Sequence, residues 1–241
     1  PGPLLFFPDT PAEPKFSVQN QTLPAALKSR LDDRRGLLKA FDTTRREIDR
    51  SGAMRAMDEF ERKAVDLMTS DRARRAFDIH QEPPSIRDRY GWHQYGQRAL
   101  LARRLVEAGC SFVTMVLENP VPPGAQYPKD ITYNWDSPAV NCHIFPDSKY
   151  RFPFYDRAVT ALIEDLYERG LDRRVLLIVT GEFGRTPRIT YSDGRPGRDH
   201  WPQGFSLLVS GGGIRTGQVV GSTNSKGEVP KDRPLTPNDL W

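Results

Sequence analysis

The bulk composition sets the first limits on what this chain can be. Its 241 residues suffice for one large α/β domain, and a hydrophobic fraction of 37% with 21 prolines indicates many irregular connections. The 35 Lys and Arg residues nearly balance the 31 Asp and Glu residues and are interleaved with them, so we expect no nucleic-acid-binding face. Two cysteines exclude a disulfide framework or a thiolate metal site, and no stretch is long and apolar enough to span a membrane.

The N-terminal third is predicted to be an irregular strap followed by helices. Residues 1–23 mix Pro, Gly and polar residues with a few aromatics, which is typical of a segment lying on a larger body. From position 23 to about Ile79, apolar residues recur at helical spacing, and Arg, Asp and Glu fill the other faces. Pro83-Pro84 then closes the region. We therefore expect residues 23–84 to be a helical insertion or cap within a single domain.

The rest of the chain, residues 85–241, is predicted to be the α/β core portion of that domain. Gly109 and Gly170 end two helical stretches, and Pro153 is expected to open the second of them. Short apolar, β-branched runs indicate buried strands. The predicted elements are helices at 92–108 and 153–170 and strands at 111–117, 175–179 and 205–209. Helix, strand, long loop, helix, strand is typical of a mostly parallel sheet flanked by helices.

Glu182 follows the second predicted strand, at 175–179, and is the first candidate for a functional residue. In open parallel sheets, ligands bind beyond the carboxyl ends of the strands. Gly181 and Gly184 flank Glu182-Phe183, so the backbone can turn sharply there and aim the carboxylate at a ligand. Arg185 and the rigid Thr186-Pro187 follow directly. The alternative is a solvated acid in a surface turn.

The dipeptide Asp199-His200 is the second candidate, because it joins a carboxylate to an imidazole. Such pairs serve both in metal ligation and in general acid–base chemistry. Adjacent side chains of an extended segment point to opposite sides, so we expect only one of the two to face the ligand. Asp136 is a less specific candidate in the loop before Pro153, where a lone Asp often caps a turn. Carboxylates with imidazole suit zinc, manganese or iron.

The remaining histidines carry weaker signals. His143 lies in the long loop that precedes Pro153 and is equally compatible with a ligand and a structural role. His80 and His93 are interpreted as structural or surface residues.

Several longer runs resemble the bacterial family called domain of unknown function 1501. The matching runs are Tyr90-Gly91 through Gly109, Asn134-Trp135-Asp136, Gly181 through Pro187, Gly197 through Pro202, and Gly211 through Leu240. Together they cover the chain from about Leu23 to its end. The resemblance implies membership of the alkaline phosphatase and sulfatase superfamily, which binds two metal ions at the carboxyl edge of a central sheet. It also implies export to the periplasm or cell envelope, since family members are commonly exported.

The same resemblance implies roles for individual residues. Glu182, His200 and Asp136 would be ligands of divalent metal ions such as zinc or manganese. Three departures bear on this assignment. Pro138 stands where the family often has a histidine, and Phe183 stands where metal-binding members of the superfamily have one. The strand carrying the nucleophile would precede Pro1, so the chain is expected to be part of a longer protein and to be inactive by itself.

The leading functional hypothesis is a metal-dependent hydrolase of phosphate or sulfate esters. Its substrate would be a small-molecule or polysaccharide ester, with Asp199 orienting the site and Arg185 or Arg198 holding the anionic group. The alternative is a non-catalytic relative that binds a polymer or a partner at the cell envelope, which Pro138 and Phe183 favour. A third class, a nucleic-acid-binding helical module within residues 23–79, is disfavoured by its mixed charges. The sequence leaves the oligomeric state open.

Overall fold

The computed structural model of the chain describes residues 4–5, 10–18, 33 and 71–240. Most of the helical region predicted from position 23 to Ile79 therefore lies outside the described residues. Its end is helical as expected, because α1 spans Asp71–Phe77 and a 3-10 turn follows at Ile79–Gln81.

Three further helices follow α1 within the described residues. They are α2 (Pro84–Tyr90), α3 (Gln94–Glu107) and α4 (Ile144–Glu168), and a second 3-10 turn lies at Pro237–Leu240. The predicted helix at 92–108 is confirmed as α3. It ends where Gly109 takes a positive φ of 96° and the Cys110 amide donates to the Leu105 carbonyl. Among the helices of the described part, none has the length and apolar character that crossing a membrane requires.

The prediction that Pro153 opens α4 is wrong, because the helix already begins at Ile144 and Pro153 lies inside it. A proline removes one intrahelical hydrogen bond, and here other contacts hold the turns before it. Arg151 is fully buried, and its Nη2 lies 2.8 Å from Oδ1 of Asp147 one turn earlier. Arg151 also donates to the hydroxyl of Tyr95 at 2.8 Å, which ties this part of α4 to α3.

The strands are short and occur in pairs. They are β1 (Leu4–Leu5), β2 (Val113–Thr114), β3 (Leu176–Val179), β4 (Gly184–Arg185), β5 (Thr190–Ser192), β6 (Arg195–Gly197), β7 (His200–Trp201), β8 (Leu208–Gly211), β9 (Ser222–Thr223) and β10 (Pro230–Asp232). β1 and β2 pair in parallel, whereas β3–β8, β4–β7, β5–β6 and β9–β10 are antiparallel. The predicted alkaline-phosphatase-like, mostly parallel sheet is therefore wrong for the described residues.

The connection between β3 and β8 explains why these two strands are antiparallel. Parallel neighbours need a long crossover, usually a helix, whereas antiparallel neighbours can be joined through hairpins. The segment between Val179 and Leu208 holds the short pairs β4–β7 and β5–β6 and no helix, so β8 returns antiparallel to β3. An apolar run also does not guarantee burial, because Leu176 at the start of β3 is 47% exposed.

The apolar core lies among the helices, chiefly between α3 and α4. Its buried members include Tyr90, Tyr95, Leu100, Leu101, Leu105, Ala158, Ala161, Leu162 and Leu166. Each buried leucine stabilises the fold by roughly 1.5–3 kcal/mol relative to an exposed one. Phe16 of the predicted strap is buried in the same cluster, and its carbonyl lies 3.0 Å from Nε2 of His80.

A buried charge network lies beside this core. Arg103 of α3 is 1% exposed, and it forms ion pairs with Glu82 (Nη2–Oε2 2.8 Å) and Asp165 (Nε–Oδ2 2.9 Å). These two contacts are close charge pairs without good hydrogen-bond alignment, whereas Nη1 donates an aligned bond to Glu107 at 2.7 Å. Tyr90 donates to Asp165 at 2.9 Å. The network joins α2, α3 and α4 through the buried charges of Arg103, Glu82 and Asp165, whereas Glu107 at its edge is 41% exposed.

Candidate functional site

The strand pair β4–β7 forms a two-stranded ribbon that presents the candidate residues. Its register pairs Arg185 with His200 and Gly184 with Trp201. Side chains alternate between the faces of a strand, so Phe183, Arg185 and His200 lie on the same face of the ribbon. The contacts agree, since the ring centroids of Phe183 and His200 are 4.1 Å apart.

Asp136 reaches this face from the loop before α4. Nε2 of His200 lies 2.8 Å from Oδ1 of Asp136, and Nη1 of Arg185 lies 3.6 Å from the same oxygen. Asn141 donates to the other carboxylate oxygen at 2.8 Å. The structure thus brings together three predicted residues, Asp136, Arg185 and His200, from three separate segments. Asn141 was not predicted, because a loop amide five positions from Asp136 follows no recognisable spacing.

A close backbone approach positions the Asp136 loop. The Arg198 amide donates to the Ser137 carbonyl at 3.1 Å, next to Gly197 of β6. A Cβ atom on Gly197 would lie 2.0 Å from the Ala139 amide nitrogen, so only glycine allows the loop to lie this close. Asn134 accepts a hydrogen bond from the Asp136 amide at 3.1 Å, which fixes the turn before the carboxylate.

The two predicted anion-binding arginines bind backbone carbonyls of the site. Arg185 donates to the carbonyls of Trp135 and Arg198, the latter at 3.4 Å. Arg198 donates in return to the Arg185 carbonyl at 3.3 Å and to that of Thr186. These contacts make both side chains positioning groups that join the Asp136 loop to the ribbon. Their binding of an anionic group stays a prediction.

Asp199 has a different environment from His200, as the alternation of side chains along a strand predicts. Its Oδ2 accepts from the Thr190 hydroxyl at 3.2 Å, and its amide donates to the Thr186 hydroxyl at 3.1 Å. The carboxylate that contacts His200 is that of Asp136. The orienting role that the sequence suggests for Asp199 stays a prediction.

Hydrogen bonding favours the charged form of Asp136. The bond to His200, the positive charge of Arg185 and the bond from Asn141 together lower the pKa of the carboxyl below its ordinary value, although partial burial opposes them. Asp136 is therefore a carboxylate at neutral pH and can only accept hydrogen bonds. The His200 side chain is 51% exposed and that of Asp136 is 38% exposed, so a ligand can reach the pair.

The third predicted metal ligand, Glu182, lies exposed in the turn between β3 and β4. Within the described part of the chain, no group of three or more His, Cys, Asp and Glu side chains is placed to hold a metal ion. Asp136 and His200 already bond to each other beside the Arg185 cation. This arrangement fits a hydrogen-bonded pair rather than a metal-binding set, and metal ligation by Glu182, Asp136 and His200 stays a prediction.

The other histidines have structural contacts. His93 precedes α3, where its Nδ1 accepts the Gly96 amide proton at 3.2 Å. His80 contacts the strap through Phe16. His143 precedes α4, and its ring centroid lies 5.9 Å from that of Phe145.

The described fold and site define a protein of helices and mainly antiparallel strand pairs, with an exposed carboxylate–imidazole pair beside a two-stranded ribbon. A family model described as Protein of unknown function (DUF1501) matches residues 6–241. The chain therefore belongs to this family, as its sequence runs predict. No curated protein and no solved structure matches the chain. The wider relation to alkaline phosphatases and sulfatases stays a prediction.

Proposed function

We propose that the protein hydrolyses a phosphate or sulfate ester at the His200–Asp136 pair. The observation that carries this proposal is the 2.8 Å contact between an exposed imidazole and an ionised carboxylate. A carboxylate that orients an imidazole and stabilises its protonated form is the arrangement used in general base catalysis. His200 would remove a proton from an attacking water molecule, and Asp136 would stabilise the resulting imidazolium.

Positive charge next to the pair suits an anionic ester. Arg185 lies 3.6 Å from Asp136, and its side chain is 22% exposed. Arg198 holds the Arg185 carbonyl from the neighbouring segment. Two guanidinium groups fixed by backbone bonds need no rearrangement when negative charge develops nearby, which is the condition for electrostatic stabilisation. They would favour the charged phosphoryl or sulfuryl group over a neutral ester.

The openness of the pair bears on substrate size. Both side chains of the His200–Asp136 pair are more than a third exposed, so the ester could belong to a small molecule or to a polysaccharide. The proposal includes the export implied by the family resemblance, with the protein acting in the periplasm or cell envelope. Cell fractionation of the producing bacterium tests this part, and recovery with cytoplasmic markers would contradict it.

A second candidate function is binding without catalysis. Phe183 packs its ring on the His200 imidazole, which limits access from one side. The described residues also lack a group of three metal-binding side chains. Both observations favour a relative that binds an anionic polymer or partner at the cell envelope.

Ester hydrolysis by wild type and His200→Asn separates the two functions. Release of nitrophenol from p-nitrophenyl phosphate and p-nitrophenyl sulfate is measured with the purified full-length protein. Loss of a general base predicts that His200→Asn lowers kcat/KM by about 10²–10⁴-fold. His143→Asn is the matched control and should retain wild-type activity, since its contacts are structural. The absence of hydrolysis by the wild type, or equal activity of His200→Asn, would sink the hydrolase proposal and leave binding.

A further inference from the structure

The stacking of Phe183 on His200 bears on which imidazole nitrogen can react. The ring centroids lie 4.1 Å apart with 32° between the planes, so the phenyl ring covers one face of the imidazole. The register of β4–β7 makes the two residues diagonal neighbours on one face of the ribbon. The contact therefore follows from the strand pairing.

The partner of Nε2 determines the tautomer of a neutral His200. A carboxylate can only accept a hydrogen bond, so Nε2 carries the proton at its 2.8 Å contact with Asp136. In a neutral imidazole the other nitrogen, Nδ1, then holds the lone pair. Among the described residues, no hydrogen-bond partner approaches Nδ1, and half of the side chain is open to solvent.

Phe183 restricts rotation of the His200 ring away from this orientation. A half-exposed imidazole on a two-stranded ribbon could otherwise rotate about its Cβ–Cγ bond, which would exchange Nε2 for a carbon atom at the carboxylate. The phenyl ring packed on one face opposes that rotation, and offset aromatic pairs of this kind contribute about 0.5–1.5 kcal/mol. The Arg185 guanidinium carbon, 5.9 Å from the Phe183 ring, adds a second contact to the same phenyl group.

We propose that Phe183 is a positioning residue that fixes His200 with Nδ1 as its reactive nitrogen. This inference rests on the proposed function and names the reacting atom within it. Nδ1 takes a proton from a water molecule whose oxygen bonds to phosphorus or sulfur, while the bond to the alcohol oxygen breaks. The alcohol oxygen takes a proton from solvent, and the imidazolium later releases its proton to solvent.

Long-range ¹H–¹⁵N NMR of the protein labelled at histidine tests the assignment without any turnover. The chain has four histidines, so the His200 signals can be assigned by their loss in His200→Asn. We expect the neutral form of His200 in the wild type to carry a proton on Nε2 and none on Nδ1. A protonated Nδ1 or a rapidly averaged tautomer in the wild type would overturn the proposal.

Substitution of Phe183 tests the positioning role. Phe183→Ala should give averaged tautomer signals for His200 and lower kcat by about tenfold, a fraction of the contribution of a general base. Phe183→Tyr should retain the wild-type NMR pattern. Phe112→Ala removes another phenyl ring, one that is 51% exposed, and should change neither readout. A fixed Nε2–H tautomer in Phe183→Ala, with circular dichroism showing a folded protein, would overturn the role of Phe183.

The two proposals fail in different ways. If no ester is cleaved but the NMR pattern is as expected, the hydrolase proposal fails and the positioning of His200 by Phe183 stands. If esters are cleaved but the tautomer differs, the hydrolase proposal stands and the assignment to Nδ1 fails.

Discussion

The helices and the strand pairs of this protein differ in how far their side chains are buried. Between α3 and α4 the side chains are buried, and even charged groups such as Arg103 are 1% exposed. Around the β4–β7 ribbon, the His200 side chain is 51% exposed and the strands are two residues long. Isolated two-stranded pairs are at best marginally stable in water, so contacts with the rest of the molecule must support them. Stability is concentrated in one region and accessible chemistry in the other.

The largest expected loss of stability comes from a substitution in the helical region. Arg103→Met would remove the most deeply buried cation beside the carboxylates of Glu82 and Asp165, which are 8% and 2% exposed. The two carboxylates keep Arg104 and Arg169 as partners, so the loss should lie at the low end of the about 3–5 kcal/mol that breaking a buried pair costs. Urea denaturation measures the change in the free energy of unfolding.

Arg89→Met is the matched control for Arg103→Met. Arg89 pairs at 2.7 Å and 2.6 Å with Glu164 and Glu168, whose side chains are 61% and 60% exposed. Exposed pairs contribute about 0–1 kcal/mol. Equal losses in the two variants would show that burial does not distinguish the two networks.

A pH-dependent effect of intermediate size is expected at the start of α3. Burial, with the nearby charge of Arg157, lowers the pKa of His93 from 6.5 to about 4. Between these values the unfolded chain binds a proton that the folded protein does not, so stability is present above pH 6.5 and is lost as pH falls towards 4. The free energy of unfolding should drop by about 2 kcal/mol between pH 7 and pH 5 through this group.

Comparison with His93→Asn isolates the contribution of His93 from that of other titrating groups. Asparagine is a favourable residue before a helix and does not titrate, so it retains a cap. The variant should therefore show a smaller fall in stability between the two pH values, measured by denaturation at each. An identical fall in both proteins would contradict the assignment to His93.

The smallest expected effect on stability lies on the ribbon side. Gly197→Ala places a Cβ 2.0 Å from the Ala139 amide nitrogen and forces the loop away from β6. Because the loop can shift, the loss should lie at the low end of the about 1–3 kcal/mol typical of overpacking. The His200–Asp136 contact should lengthen, and the NMR signal of the Nε2 proton should broaden. Gly181→Ala, whose nearest contact would be an ordinary 3.4 Å, should preserve both stability and signal.

The sequence predicts a helix well where apolar residues recur at helical spacing and a recognisable residue type marks the end of the helix. The apolar face of α3 and the positive-φ Gly109 that ends it can both be identified from residue types. The start of α4 cannot, because the contacts that keep Pro153 inside the helix come from Arg151 and Tyr95, and side-chain networks leave no periodic pattern. Strand direction is likewise absent from a short apolar run such as β3, since parallel and antiparallel strands use the same residues.

The candidate site could likewise be predicted only in part from the sequence. Residue chemistry identifies Asp136, Arg185 and His200 separately, and strand alternation predicts that Asp199 and His200 differ in environment. That Asp136, and not Asp199, contacts the imidazole depends on the register of β4–β7 and on the close approach at Gly197. Both are properties of pairing between distant segments, which local sequence does not specify.

The parallel pair β1–β2 has a consequence for the order of folding. It joins Leu4 to Val113, residues from distant parts of the chain, through only two residue pairs. Closing so long a loop costs entropy before any contact compensates for it, whereas α3 and its capping contacts form locally. We expect β1 to pair with β2 after the helices have associated, and this strand pair to be among the first parts of the native protein to open. Its amide protons should therefore exchange with deuterium sooner than those of α3.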